Sequence, residues 1–219
     1  YLDHVRAALP LFQDYGATRM VENWEDNVPE GKITDFHRAV QTKDGEAVVL
    51  SWIEWPSKAA RDAGMKALMA DERMKTLSMP FDGQRLIFGG FAPIVEEGSA
   101  KGVGYADGFV VPVPTANRDA YVQMAANAAR VFVEYGALRI VEGWGDDVPD
   151  GKVTDFRRSV EARDGETIVF SWIEWPSKQA RDEAWPKLMA DPRMRPDKAK
   201  MPFDGQRMIY GGFATILDA

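Results

Sequence analysis

One eight-residue segment, SWIEWPSK, occurs twice in the chain and combines residue types that are capable of chemistry. Alternation along a strand places Trp52 and Glu54 of the first copy on one face. Trp172 and Glu174 have the same arrangement in the second copy. A carboxylate beside a tryptophan in a sheet-lined cavity can have a raised pKa, so the two glutamates are candidate catalytic bases and the two tryptophans candidate substrate-binding residues. The alternative is structural: each glutamate lies near a strand end, where it is solvated or pairs with an arginine.

A second candidate site begins at the last strand of each half, where an arginine follows a Phe-Asp-Gly turn. Arg85 and Arg207 could each bind the carboxylate of a substrate through a bidentate guanidinium contact. Each arginine could instead pair with the aspartate of its own turn and hold that turn in place. Tyr210 could orient a substrate or donate a proton, although the equivalent residue of the first half is Phe88. The two arginines and Tyr210 are therefore further candidate substrate-binding residues.

The composition excludes several classes of site and partner. The 219 residues contain no cysteine and two histidines, which leaves no thiolate site or iron–sulfur cluster and little room for a histidine metal cage. Lys+Arg 27 against Asp+Glu 34 gives a net charge of −7, whereas nucleic acids and anionic membranes bind basic surfaces. No apolar run reaches the roughly 20 residues of a membrane span. We expect a cytoplasmic protein with no metal, no cofactor, and no nucleic-acid or membrane partner.

The elements that must position these residues occur twice. Residues 1–75 align with residues 121–195, and after a two-residue insertion residues 79–95 align with residues 201–217. The alignment contains 54 identical pairs out of 92, which is far above chance. The period is about 120 residues, longer than that of solenoid repeats, so each copy is expected to be a domain-sized unit.

The second copy has the element order strand, helix, strand, hairpin strand, helix, strand. Apolar alternation, capping residues and turn residues predict a strand at 108–114, a helix ending before Gly136, a strand at 138–144, a hairpin of 154–161 with 166–175, a helix from Ser177 to about 190 and a strand at 206–217. This order is that of a ferredoxin-like split βαβ unit, an α+β fold with helices on one face of the sheet. The other face needs a partner, so we expect two tandem ferredoxin-like units that pair their sheets as an intramolecular pseudo-dimer.

The first copy lacks a counterpart of the strand and helix start at 106–117. Tyr1 aligns with Tyr121, and no initiator methionine precedes it. The first strand of a ferredoxin-like sheet is central, so we expect either that the natural protein continues before Tyr1 or that a neighbouring chain or segment fills the gap. The predicted domains are a first repeat at 1–95 without its first strand, a linker at 96–104 and a second repeat at 105–219.

Five ordered phrases of the second copy carry a family resemblance: DGFVVPVP, DDVPDGK, VFSWIEWPSK, LMADPRM and MPFDGQRMIYGGF. They resemble the bacterial family of domain of unknown function 1428, the YbaA-like proteins. The resemblance implies single-unit proteins that pair as homodimers of the dimeric α/β barrel type, so this chain resembles a fused pair. It implies no reaction, because the wider superfamily includes cofactor-independent monooxygenases, muconolactone-isomerase-like enzymes, haem-degrading enzymes and stress proteins.

Three classes of function remain open. One is binding of a small organic molecule in a pocket lined by the candidate tryptophan, glutamate and arginine residues. The second is a cofactor-independent enzyme, monooxygenase- or isomerase-like, with glutamate as the base. The third is a purely structural or stress-response module, which is favoured if side chains fill the space between the sheets. Further homodimerisation of the pseudo-dimer is also open, since an unpaired sheet edge promotes association.

Overall fold

The computed structural model describes residues 1–195 and 201–219. Within these ranges the strands are β1 (Arg19–Asn27), β2 (Val49–Glu54), β3 (Gly90–Gly98), β4 (Tyr105–Pro114), β5 (Arg139–Asp147), β6 (Glu166–Trp175) and β7 (Ile209–Asp218). The helices are α1 (Leu2–Asp14), α2 (Phe36–Ala39), α3 (Lys58–Ala70), α4 (Glu72–Thr76), α5 (Arg118–Glu134), α6 (Phe156–Ser159) and α7 (Lys178–Ala190). Short 3-10 turns lie at Gly83–Arg85, Thr115–Asn117 and Pro192–Met194.

Local sequence explains where the long helices begin and end. Ser57 and Ser177 are the serines of the two SWIEWPSK segments, and each accepts a hydrogen bond of 3.1 Å from the backbone N–H three residues further on. These bonds satisfy free donors at the starts of α3 and α7. Gly136 follows α5 with a φ of +103°, a conformation that glycine adopts without steric cost.

The strands form one antiparallel sheet in the order β2-β1-β7-β4-β6-β5-β3. The strands of the second half lie in the order β7-β4-β6-β5. The first strand of that half, β4, therefore lies between its last strand, β7, and its third strand, β6, as in a ferredoxin-like unit. The last strand of each half pairs with the second strand of the other, β7 with β1 and β3 with β5. This exchange joins the halves into one curled sheet. The predicted α+β fold of two tandem ferredoxin-like units paired as a pseudo-dimer is confirmed.

Two apolar cores lie on opposite faces of the sheet. The inner core combines side chains of both halves, and within it the rings of Trp52 and Trp172 stack with centroids 4.7 Å apart. The second core lies between the strands of the second half and its helices, where the rings of Phe132 and Trp175 meet edge to face. Because both cores bury large aromatic rings, they contribute most of the hydrophobic stabilisation.

Residues 154–161 differ from the sequence prediction of a hairpin strand. The Asp155 carboxylate accepts backbone N–H bonds from Arg158, at 2.8 Å, and from Gly151, at 3.1 Å, and it caps α6. Asp35 caps α2 in the same way in the first half. The strand prediction was wrong, because an aspartate that hydrogen-bonds to nearby backbone groups favours a helix start over an extended chain.

The first half has no strand, within the described residues, in the place that β4 occupies in the second half. β4 pairs with β6 on one side and with β7 on the other. The first-half counterparts of those two strands, β2 and β3, are the two edges of the sheet. β3 continues through Gly98, so Glu96–Gly98 are strand residues within the segment that the sequence assigns to the linker.

Candidate functional site

The glutamates of the two SWIEWPSK segments meet between the halves. Arg19 of β1 donates to Glu174 at 2.7 and 3.0 Å and to Glu54 at 3.1 Å. Arg139 of β5 is the equivalent of Arg19, and it donates to Glu54 at 2.6 and 3.0 Å and to Glu174 at 3.4 Å. The pseudo-symmetry therefore joins the two glutamates, which the sequence assigned to separate sites, with two arginines that the sequence analysis did not single out. We call these four residues the Arg–Glu cluster.

Ion pairing lowers the pKa of Glu54 in the Arg–Glu cluster. Burial raises the pKa of Glu54, but the hydrogen bonds and charges of Arg139 and Arg19 outweigh burial and leave this pKa below its usual value. Glu174 is fully buried, and it accepts a further hydrogen bond of 2.9 Å from the Trp172 indole nitrogen. A carboxylate held by two guanidinium groups is a weak base, because protonation would break favourable ion pairs.

The two candidate arginines are bound by carboxylates of their own half. Arg207 is only 3% exposed, and it donates to Glu166 at 2.6 and 2.7 Å and to Asp204 at 3.0 Å. Arg85 makes the equivalent contacts with a glutamate and an aspartate of the first half. Both guanidinium groups therefore hold the Phe-Asp-Gly turn, and a substrate carboxylate would have to displace one of the protein's own.

Tyr210 lies apart from these groups. Its side chain on β7 is exposed, and its ring stacks on Phe109 with centroids 6.5 Å apart. The equivalent Phe88 is 62% exposed. Within the described residues, no hydrogen bond links the Tyr210 hydroxyl to the Arg–Glu cluster or to Arg207.

A further polar group, which the sequence analysis did not single out, occurs in both halves. The Tyr121 hydroxyl, in the first turn of α5, donates to the carboxylate of Glu142 in β5 at 2.7 Å. Ser171 of β6 lies opposite Glu142 in the strand register. The first half has the same arrangement, again with a tyrosine–glutamate distance of 2.7 Å, in Tyr1, Glu22 and Ser51. We call these sets the Tyr–Glu–Ser groups.

The glutamates of the Tyr–Glu–Ser groups differ electrostatically from those of the Arg–Glu cluster. Burial raises the pKa of Glu22 and of Glu142 to about 7, although hydrogen bonds from the tyrosine and the serine act in the opposite direction. Neither carboxyl forms an ion pair with a cation among the described residues. Glu22 is buried and Glu142 is half-buried. A carboxyl group with this pKa can exchange its proton at neutral pH, as a general acid or base must.

Aromatic side chains lie beside the tyrosine of each Tyr–Glu–Ser group. The Tyr1 ring lies 6.0 Å from the ring of Trp24 and 6.1 Å from that of Phe81. The Tyr121 ring lies 5.8 Å from that of Phe203. A cavity of about 400 Å³ in the first half is lined by Tyr1, by the serine of its group and by mostly apolar side chains. Of the first-half group, Tyr1 and Ser51 line this cavity, so a small organic molecule in the cavity can reach their hydroxyl groups.

The internal repeat contains a signal for the Tyr–Glu–Ser groups. All three residue types are identical at a shift of 120 residues, and Tyr1/Tyr121 is one of only two identities in the first ten aligned pairs. The three members belong to different elements, however, and Tyr1 and Glu22 are 21 residues apart. Sequence identity between the copies could have marked each residue, but the contact between them follows from tertiary structure.

Residues 1–195 and 201–219 contain no group of three or more histidine, cysteine, aspartate or glutamate side chains arranged to hold a metal ion. No helix in those ranges combines the length and the apolarity that crossing a bilayer requires. The carboxylates of the Arg–Glu cluster are occupied by guanidinium groups.

The topology and the paired sites define the class of protein: two fused ferredoxin-like units of the dimeric α/β barrel type, with an ion-paired centre and one Tyr–Glu–Ser group per half. The chain belongs to the family described as "Protein of unknown function (DUF1428)", which matches residues 1–83 and 104–205. The uncharacterized protein YbaA of Escherichia coli K12 is 63% identical over 114 residues, which are 52% of this chain and 97% of that protein. YbaA of Shigella flexneri gives the same values. The predicted family resemblance is confirmed.

Solved structures support the fold. One from Lactobacillus acidophilus, described as a "putative monooxygenase", superimposes with a TM-score of 0.55. The superposition covers 99% of this chain and 88% of that chain, and the two sequences are 11% identical. At that identity the likeness extends to the fold, because one fold hosts many unrelated activities.

Proposed function

We propose that each half binds a small organic molecule at its Tyr–Glu–Ser group and that the glutamate exchanges a proton with this molecule. The observation that carries the proposal is a carboxyl group whose pKa burial raises to about 7 and which has no cationic partner within the described residues, at the equivalent positions Glu22 and Glu142. Burying an ionisable group without a counter-charge lowers stability. Two equivalent copies of such a costly group favour a role in binding or chemistry.

The surroundings indicate the kind of molecule. The rings of Trp24 and Phe81 beside Tyr1 favour a planar and largely apolar ligand. The hydroxyl and carboxyl groups of the Tyr–Glu–Ser group offer hydrogen bonds to one polar edge of that ligand. A phenol, an enol or a ketone with an acidic neighbouring C–H meets both requirements. Whether proton exchange leads to turnover depends on the bound molecule.

The proposal assigns proton exchange to Glu22 and Glu142 in place of Glu54 and Glu174, because the latter two are paired with guanidinium groups. The Arg–Glu cluster and the stacked tryptophans then serve to join the halves. Arg207 contributes indirectly, since it holds the turn that places an aromatic ring beside the tyrosine of its group.

The test compares Glu22→Gln, Glu142→Gln and the double variant with wild type and with a control, Glu97→Gln, whose side chain is exposed. Native mass spectrometry of freshly purified protein detects molecules that co-purify and dissociate on denaturation. Calorimetric titration with a series of phenols of graded acidity, in two buffers of different ionisation enthalpy, measures affinity and the number of protons exchanged.

We expect wild type and Glu97→Gln to bind with net proton uptake or release that is largest near pH 7. Each single variant should lose one binding event, and the double variant should lose both. Equal affinity and equal proton exchange in wild type and in the double variant would overturn the proposal. So would the absence of both a co-purifying molecule and any phenol binding to wild type.

A further inference from the structure

Three polar side chains of the first half form a chain of hydrogen bonds. The Nε2 atom of His37 lies 2.9 Å from a carboxylate oxygen of Glu25, and the Nδ1 atom of the same ring lies 3.2 Å from the Thr42 hydroxyl. The other carboxylate oxygen of Glu25 accepts a hydrogen bond of 2.6 Å from the backbone N–H of Val48, which fixes the orientation of the carboxylate. Hydroxyl, imidazole and carboxylate stand in the order of a nucleophile, its general base and the group that orients the base.

The contacts of the imidazole decide where its proton lies. A neutral imidazole carries one N–H and one nitrogen that accepts a hydrogen bond. The Glu25 carboxylate accepts hydrogen bonds, so it selects the form of His37 in which Nε2 carries the proton. Nδ1 then accepts a hydrogen bond from the Thr42 hydroxyl, and it is in position to remove the proton of that hydroxyl.

The loop that holds these side chains has the same backbone hydrogen bond in both halves. The N–H of Thr42 donates to the His37 carbonyl at 3.0 Å, and the N–H of the equivalent Ala162 donates to the Arg157 carbonyl at 2.8 Å. The residue before each has a positive φ, +51° in the first half and +48° in the second. The three side chains differ, since the second half has Gly145, Arg157 and Ala162 at these positions. The second half is therefore a natural control for the loop without the three groups.

Solvent reaches this part of the surface. The side chain of His37 is 32% exposed and Thr42 is half-buried. Of the three groups, only Thr42 is among the described residues that line the first-half cavity. The equivalent Ala162 is also half-buried although β4 is complete in its half, and with Arg157 it lines a separate, shallow hollow of about 440 Å³. A small substrate can therefore reach the Thr42 hydroxyl from the surface.

We propose that Glu25, His37 and Thr42 hydrolyse small carboxylic esters that have a phenolic leaving group. The Thr42 oxygen bonds to the ester carbonyl carbon while His37 takes the hydroxyl proton. The bond from that carbon to the phenolic oxygen then breaks, and His37 gives the proton to the departing oxygen. Water attacks the acyl-threonine in the same way, and the proton that His37 takes from water returns to the Thr42 oxygen. One ester and one water yield one phenol and one carboxylic acid.

The tetrahedral intermediate of each step carries an oxyanion, which N–H donors stabilise. The exposed turn after Thr42 offers the backbone N–H groups of Asp44 and Gly45, which donate to no acceptor within the described residues. The inference is independent of the ligand proposal, because Glu22 and Glu142 take no part in the reaction.

The test measures hydrolysis of p-nitrophenyl acetate by the 219-residue chain. Thr42→Ala and His37→Arg introduce the residues that the second half already has in this loop, so both variants should fold, and their melting temperatures check this. Each should lose at least about a hundredfold of the catalysed rate, whereas Thr42→Ser should keep it. Glu25→Gln should lose at least about tenfold, because the imidazole is no longer held in the required form. The control is His4→Met, which removes the other histidine, introduces the residue found at Met124 and should leave the rate unchanged.

Peptide mass spectrometry of acid-quenched samples locates the acetyl group. We expect it on Thr42 in wild type and at the same position in Thr42→Ser. Equal rates in wild type, Thr42→Ala and His37→Arg would overturn the proposal, since the hydrolysis would then come from other surface groups. So would an acetyl group on Lys43 and on no other residue of the loop, or a wild-type rate no higher than that of buffer.

Discussion

The two copies of SWIEWPSK have the same sequence and different surroundings. In β6 every residue from Ile168 to Trp175 is buried, because β4 and β5 flank the strand and α5 and α7 cover it. Within the described residues β2 pairs with β1 alone; its Ser51 is exposed, and Trp55, directly after the strand, is half-buried. The eight residues are identical in the two copies, but they are buried to different extents because their neighbouring elements differ. Local sequence determines that both copies form strands, whereas the contribution of each side chain to stability depends on which strand lies beside it.

The largest expected difference between the copies concerns the second tryptophan of the segment. Trp175 is fully buried, and its indole nitrogen donates to Asp107. We expect Trp175→Ala to lower the free energy of unfolding by about 4 kcal/mol, since it leaves a cavity and removes one hydrogen bond from a buried carboxylate. Trp55→Ala should cost about 2 kcal/mol, because half-buried rings lose less. Denaturant titration of both variants measures the difference, and equal losses would contradict the comparison.

The glutamates of the same segment should differ by a similar amount, with a smaller loss of stability in each copy. Glu174 is fully buried against Arg19, whereas the side chain of Glu54 is 25% exposed. Glu174→Gln should lower the free energy of unfolding by about 3 kcal/mol, because two guanidinium groups lose a buried counter-charge. Glu54→Gln should cost about 1 kcal/mol, since solvent screens the remaining charges. A neutral effect of Glu174→Gln on unfolding would show that the Arg–Glu cluster does not stabilise the pairing of the halves.

The Tyr–Glu–Ser groups should behave alike in the two halves, so they should show the smallest difference between the copies. The pKa values of Glu22 and Glu142 are raised from 4.5 to about 7, so the folded chain holds protons that the unfolded chain has released. Stability is therefore greatest below about pH 4.5 for these groups and falls as pH rises to about 7. Each Gln variant should reduce this fall by about 2 kcal/mol. Unfolding free energies at pH 5 and pH 8 give the size of this fall. An unchanged fall in the variants would show that folding does not raise the pKa values of these carboxyls.

Much of the fold could be predicted from the chain alone. The internal repeat established two units, and the order of strands and helices within one unit established the ferredoxin-like topology and the need for a partner sheet. The prediction of a hairpin strand at 154–161 was wrong, because the Asp155 cap is a local hydrogen bond that apolar alternation does not reveal. The candidate site was harder to predict. The sequence marked Glu54 and Glu174 as equivalent residues, but it could not show that the same two arginines bind both.

Sequence by itself determined the duplicated unit, its elements and the residues that recur in both copies. Tertiary structure decided which of those residues touch. Arg139 lies 85 residues from Glu54, and Arg19 lies 155 residues from Glu174. Such pairs meet only because each half gives its last strand to the sheet of the other. β2 and β3 are edges because no described strand of the first half takes the place of β4, so the different environments of identical segments arise from strand neighbours rather than from local propensity.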